Sequence, residues 1–242
     1  MDKHMFRIPI MFRCGLIAGL LLFAQIGFAQ VLAMEPDLEA LPAADLDVVP
    51  DFGGGSKLIF RTTTWNSGEG PLILIGGKKK GRSGGQKVYQ RIERTDGSFY
   101  DLLAGTFVWH PGHQHFHFED YALYTLQPVD APGLSQRTSA KTTFCVVDTD
   151  HVDPNLGNSN PVYAFCGVDV QGMSVGWGDT YRNQLSGQSI SLTDLPDGYY
   201  KLVIEVDPKK RVVETDDTNN VACSLLYLDI TRSTVAEDPA GC

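Results

Sequence analysis

The chain has 242 residues, 43% of them hydrophobic, with a formal net charge of −9. That length and apolar content suit one domain, or a small pair, with a core of its own. The acidic balance argues against nucleic acid as a partner, because a polyanion is held mainly by surplus Lys and Arg.

Residues 1–13 carry Lys3, Arg7 and Arg13, and residues 15–29 form an apolar run without charge. The run is shorter than the ~20 residues a spanning helix needs and ends in the small residues Gly27 and Ala29, so 1–29 reads as a signal peptide cut after Ala29, with Ala33 as an alternative point. Cys14 lacks a convincing lipidation context. No later segment is apolar enough to span a bilayer, and 30–242 is left as the working domain of an exported protein, secreted or periplasmic. Export removes three basic residues and one acidic one, taking the net charge from −9 to −11. Cys145, Cys166, Cys223 and Cys242 remain, an even number that suggests two disulfides. Three pairings are open. Pairing in chain order closes the shortest loops and is preferred; the first loop would contribute roughly 3 kcal/mol.

Residues 30–57 read as an extended lead-in rich in Pro, Asp and Ala, then Gly. Residues 58–66 and 71–75 read as strands around the turn Ser67-Gly68-Glu69-Gly70. The glycine-rich stretch 76–85, with Lys78, Lys79, Lys80 and Arg82, reads as a solvated turn. Strands are expected at 87–93, 99–103, 121–126, 144–147, 187–192, 199–206, 211–214 and 221–230, with a polar loop at 148–160 that contains His151. No long stretch has helical periodicity. Many short strands between turns predict an all-β chain, an antiparallel β-sandwich whose long loops form the functional site.

Between the strands lies the densest chemistry of the chain, Trp109-His110-Pro111-Gly112-His113-Gln114-His115-Phe116-His117. On a strand, His113, His115 and His117 would share one face, and three neutral imidazoles converging from one face make a metal site. His110 is a fourth ligand or a neighbour of the metal.

With its flanking Val108, this stretch resembles the copper motif of the lysyl oxidase family, W-x-W-H-x-C-H-x-H-x-H. The resemblance implies that His113, His115 and His117 hold copper. That family also makes a cofactor, lysyl tyrosylquinone, from a lysine just before Phe-Cys and a tyrosine in Asp-Thr-Tyr. Lys141-Thr142-Thr143-Phe144-Cys145 and Asp179-Thr180-Tyr181 match those contexts, and Phe165-Cys166 and Gln171-Gly172-Met173-Ser174 add to the likeness, which runs over residues 36–230. The implied activity is oxidation of a primary amine, small or peptidyl lysine, by dioxygen to an aldehyde, with release of hydrogen peroxide and ammonia. The lysine must shed its proton before it can add to a quinone, which burial favours. The general base is open between Asp120, Asp179 and His110, and each could instead orient a copper-bound imidazole.

In the tail, Glu214-Thr215-Asp216-Asp217-Thr218-Asn219-Asn220 packs carboxylates and amides closely enough to offer oxygen ligands to calcium. It resembles the family's calcium stretch E-x-D-x-x-N-N, in which Glu214, Asp216, Asn219 and Asn220 would be ligands, joined by Asp37 of Pro36-Asp37-Leu38. The competing expectation is an ordinary acidic hairpin turn. The chain departs from the animal pattern at Pro111, Gly112 and Phe118, and Gly112 replaces a disulfide cysteine. With no scavenger-receptor module and no long basic propeptide, the sequence resembles the compact microbial members and argues against collagen or elastin as substrate. Two other readings stand beside the oxidase: a non-catalytic copper-binding β-sandwich for metal storage or adhesion, and a cupin-like iron or manganese enzyme using three histidines and a carboxylate.

Overall fold

The computed structural model describes residues 30–78, 85–131 and 133–242; the signal peptide expected at 1–29 and Lys79, Lys80 and Arg82 of the glycine-rich stretch lie outside them. The described residues form strands and turns without a helix, so none is long and apolar enough to cross a membrane. In chain order the strands are β1 (Ala33–Met34), β2 (Leu38–Ala40), β3 (Ala44–Pro50), β4 (Ser56–Asn66), β5 (Leu72–Gly76), β6 (Gln86–Arg94), β7 (Phe99–His110), β8 (His115–Phe118) and β9 (Ala122–Pro128). They continue as β10 (Arg137–Thr138), β11 (Asp150–His151), β12 (Val170–Met173), β13 (Trp177–Tyr181), β14 (Ser189–Ser191), β15 (Gly198–Val206), β16 (Val221–Asp229) and β17 (Thr234–Glu237).

Every pairing is antiparallel, as the alternating sequence predicts, and the strands divide among three sheets. One sheet runs β12-β5-β6-β7-β8 with β1 beside β6, and a second runs β10-β9-β15-β16-β17. The third runs β11-β13-β4-β14, with β2 and β3 also on β4. Burial alternates along β15 and β16, so one face of that pair looks inward. Leu58 and Phe60 of β4, Leu74 of β5, Leu202 of β15 and Leu226 of β16 meet in a single core. Tyr121 and Tyr124 are buried there, and their hydroxyls contact Thr64 and Thr62 of β4 at 2.8 and 2.9 Å. Those contacts bridge the second and third sheets and leave neither phenol unsatisfied.

Two expected strands are absent because side chains take over their backbone bonding. At 211–214, Val212 N donates to Asp207 Oδ2 and Val213 N to Gln90 Oε1, while Gln90 Nε2 donates to Val213 O. At 144–147 one bridge joins Phe144 to Phe118; Cys145 N then donates to the Tyr181 hydroxyl and Val146 N to Gln171 Oε1. Both disulfides form in chain order, Cys145–Cys166 and Cys223–Cys242.

Candidate metal centre and adjoining pocket

The histidines sit on a hairpin, which corrects the expectation of one continuous strand. Trp109 and His110 end β7, residues 111–114 turn, and β8 begins at His115. The turn is tied by His113 N and Gln114 N, both donating to His110 O, and Gln114 takes a left-handed φ of 58°. Pro111-Gly112 supplies the turn chemistry that stops the strand. In the hairpin register His110 faces His115 and Val108 faces His117. Cross-strand partners share a face, so His110, His115 and His117 lie together, while Phe107, Trp109, Phe116 and Phe118 take the other side. The aromatic face locks the hairpin through edge-to-face contacts, Trp109 on Phe116 and Phe107 on Phe118. His113 reaches the same spot from the turn.

The nitrogen geometry suits a metal. His117 Nε2 lies 2.9 Å from His115 Nε2 and 3.3 Å from His113 Nδ1. Imidazole nitrogens about 2.0–2.1 Å from one ion, at bond angles of about 90–110°, lie roughly 2.8–3.4 Å apart. His117 is fully buried, and its Nδ1 faces Thr143 Oγ1 at 3.3 Å, an outer contact that leaves Nε2 for a metal. Burial first, and then the neighbouring cations, lowers the pKa of His113, His115 and His117, the last to about 3. All three are therefore neutral donors at pH 7. Nitrogens of His110, His113 and His117 also fall within 4.8 Å of one another. His110, however, stacks on His117 with ring centroids 4.7 Å apart and planes 22° apart. Nearly parallel rings direct their in-plane lone pairs along nearly parallel planes, so His110 meets His117 face to face, while its own Nδ1 is buried and has no hydrogen-bond partner.

Lys141 and Tyr181 meet, although 40 residues separate them in the sequence. The Lys141 ammonium lies 4.1 Å from the Tyr181 ring centroid and 4.6 Å from that of Phe144. Its Nζ is buried without a hydrogen-bond partner, and burial lowers its pKa to about 8 against the opposing pull of Asp179. Gly187 makes room for the stem: a Cβ there would lie 2.6 Å from Lys141 Cδ. The Tyr181 hydroxyl accepts from Cys145 N at 2.9 Å and donates to Cys145 O at 3.1 Å, and burial raises its pKa.

Asp179 and Tyr181 are two apart on β13 and so project from the same face. Both Asp179 carboxyl oxygens are buried and unpartnered, and burial lifts its pKa well above the ordinary range while Lys141 pulls it down. A pocket of about 400 Å³ is lined by Asp179 and Tyr181, by His113 and His115, by the Cys145–Cys166 disulfide, and by Val147 and Leu185. Asp120 does not line it; its carboxylate pairs with Arg211 at 3.1 Å. Thr143 and Gly187 were not singled out from sequence. Thr143 lay inside the lysine motif without a role, and nothing in the sequence marks Gly187 as a neighbour of Lys141.

The tail residues gather around the start of β2. Asn219 Nδ2 donates to Asp37 Oδ1, Asn220 Nδ2 to Glu214 Oε1, and Leu38 N to Glu214 Oε2. The amide oxygens of Asn219 and Asn220 are buried and have no partner. Asp216 stands apart, its Oδ1 accepting from Thr218 N and Oγ1.

The Lysyl oxidase family model matches residues 100–237, a span that holds the histidine hairpin, Lys141, Asp179 and Tyr181. Similar proteins include lysyl oxidase homolog 1 of Homo sapiens, 37% identical over 124 residues that cover 50% of this chain and 21% of the homolog. Lysyl oxidase homolog 2A of Danio rerio is 29% identical over 60% of this chain and 20% of its own length. Lysyl oxidase homolog 4 of Mus musculus is 30% identical over 57% of this chain and 19% of its own length. The chain thus matches about a fifth of the length of these relatives.

Proposed function

This chain belongs to the lysyl oxidase family, and on that premise we propose that it is an exported copper- and lysyl-tyrosylquinone-dependent amine oxidase. The overall reaction takes a primary amine, dioxygen and water to an aldehyde, ammonia and hydrogen peroxide. The observation that carries this reading is the Lys141 amine 4.1 Å from the Tyr181 ring centroid, with Tyr181 lining one pocket with His113 and His115. A copper-storage or adhesion module would have no use for a buried, unpartnered lysine against a tyrosine face.

His113, His115 and His117 would hold the copper, and their neutral imidazoles suit a divalent transition metal. When bound, copper supplies the oxidation of the Tyr181 ring by dioxygen, and the cross-linked quinone supplies an electron sink for the amine substrate. Lys141 contributes a lone pair at Nζ, because burial weakens its hold on the third proton. The Cys145 backbone fixes the Tyr181 ring beside that nitrogen. Asp179 in its ionised form serves as general base for the substrate carbon beside nitrogen, because its free oxygens are buried on the same strand face as Tyr181, whereas burial and not Asp179 favours loss of the Lys141 proton. Asp120 is engaged with Arg211, and His110 stacks on His117 with its Nδ1 buried and unpartnered beside the triad.

The test is intact mass and visible absorbance of protein loaded with copper in air. A Lys141–Tyr181 cross-link with a quinone band is the expected result. Recovery of an unmodified Tyr181 peptide after full copper loading would rule the reading out.

A second, structural ion is proposed on separate grounds. Asp37, Glu214, Asn219 and Asn220 converge, and two of their amide oxygens are buried and unpartnered. Calcium bound there would tie β2 to the loop before β16. A chelator should lower the melting temperature of the wild type and leave Glu214→Ala unaffected; equal responses would remove calcium from this site.

A further inference from the structure

Cys145 and Cys166 are joined in the structure, but a chain is synthesised with both as thiols, and a thiolate is a metal ligand where a disulfide is not. One donor atom each from His115, Cys145 and Cys166 lies within 4.8 Å of the others. Around a tetrahedral zinc ion, with Zn–S about 2.3 Å and Zn–N about 2.0–2.1 Å, two sulfurs sit roughly 3.8 Å apart and roughly 3.5 Å from the nitrogen. The three side chains already stand close to the span that one ion needs. The cysteine Cα atoms are 5.5 Å apart, so side-chain rotation opens the sulfurs to that distance without moving the backbone. All three residues line the pocket of about 400 Å³, which gives an ion its way in.

We propose that, before the disulfide closes, His115, Cys145 and Cys166 form a zinc-type site that holds the two sulfurs together and withholds His115 from the histidine triad. A neutral imidazole offers one lone pair, so His115 serves one metal at a time. Binding releases the two thiol protons. Closure then takes an oxidant of the disulfide class. The Cys166 thiolate attacks it, the Cys145 thiolate displaces the mixed disulfide, and the two electrons leave on the oxidant's two thiolates. Cys166 is half-buried and Cys145 buried, which puts the first attack at Cys166. Without its sulfur ligands the ion quits this site, and His115 is free to join His113 and His117. The thiolate site stands without the oxidase reading; only its place before copper loading rests on that reading.

The experiment titrates cobalt(II), a coloured stand-in for zinc, into the full chain kept reduced by a phosphine. The Cys145→Ser/Cys166→Ser protein is titrated alongside; Cys14, Cys223 and Cys242 are thiols in both. The wild type should show a near-ultraviolet thiolate-to-cobalt band that exceeds the double variant's by the absorbance of two thiolates per chain. If reduction unfolds both, cobalt should restore the β-type circular dichroism of the wild type alone. His115→Ala should weaken cobalt binding by more than the about 10–100-fold that an outer-shell partner is worth. Oxidised glutathione should extinguish the band in step with formation of the Cys145–Cys166 bond, followed by mass. Equal bands in the wild type and the double variant would overturn the site. Unchanged cobalt affinity in His115→Ala would overturn its competition with the triad. Either failure leaves the oxidase reading intact, because that reading is tested on the disulfide-bonded, copper-loaded chain.

Discussion

Four histidines crowd one hairpin, yet their geometries assign them different tasks. His115 and His113 bring nitrogens within 2.9 and 3.3 Å of His117 Nε2, while His110 presents its ring face to His117. Single replacement of His113, His115 or His117 by Ala should abolish stoichiometric copper uptake, read by metal analysis after dialysis. His110→Phe keeps a stacking ring and should lower copper affinity by only about 10–100-fold, the usual cost of an outer-shell change. Loss of all copper from His110→Phe would make it a ligand. A second residue-level prediction concerns Gly187, whose φ is +88° and whose added Cβ would lie 2.6 Å from Lys141 Cδ. Gly187→Ala should cost about 1–2 kcal/mol of stability for its left-handed backbone. It should also displace Lys141 and slow cross-linking, read as the cross-linked fraction by mass at fixed copper exposure, with copper stoichiometry unchanged.

At the scale of elements, the clasp between β2 and the loop before β16 has its own pH signature. Burial raises the pKa of Glu214 to about 7, outweighing the bonds from Asn220 and Leu38. Its folded pKa thus exceeds the unfolded value of 4.5, so the folded state holds the extra proton between the two. Without metal, the stability due to this group is complete below about pH 4.5 and is lost as pH rises through about 7. Urea melts of chelated protein should show that decline, and Glu214→Gln should flatten it. Calcium should reverse it, because the ionised carboxylate is the ligand form; a pH-independent wild type would exclude this role for Glu214. The sequence made much of this arrangement legible: β-branched and aromatic residues marked β4, alternation marked β6, and the histidine spacing put His115 and His117 on one face, though His113 reaches it from the turn. It did not reveal β13, which carries both Asp179 and Tyr181. That strand contains Gly178, a poor strand former, because an added Cβ would lie 2.8 Å from Val152 Cγ2 and 3.0 Å from Thr63 Cγ2 and Thr64 O. Close sheet packing requires the residue that hides the strand from propensity. The false strand at 211–214 has the complementary cause, β-forming valines whose backbone bonds go to Gln90 and Asp207 side chains.

Across the whole molecule, the two disulfides have similar loop lengths but unequal consequences. Sequence separations of 21 and 19 residues give each about 3 kcal/mol by loop-closure entropy. Cys223–Cys242 ties β16 to the last residue of the chain, outside the residues that line the candidate site. Cys145–Cys166 lines the pocket, and one donor atom each from His115, Cys145 and Cys166 lies within 4.8 Å of the others. Cys145 also gives the Tyr181 hydroxyl both of its backbone bonds. Replacing either pair by serine should lower stability by about the same 3 kcal/mol in chemical denaturation. The Cys223→Ser/Cys242→Ser protein, once folded, should still take up copper and form the Lys141–Tyr181 cross-link. The Cys145→Ser/Cys166→Ser protein should cross-link poorly even at temperatures where circular dichroism shows it folded, because Tyr181 loses the fixed segment that aims its ring. Equal cross-linking by the two variants would mean that the three sheets alone place the tyrosine, and that this disulfide serves the fold and not the site.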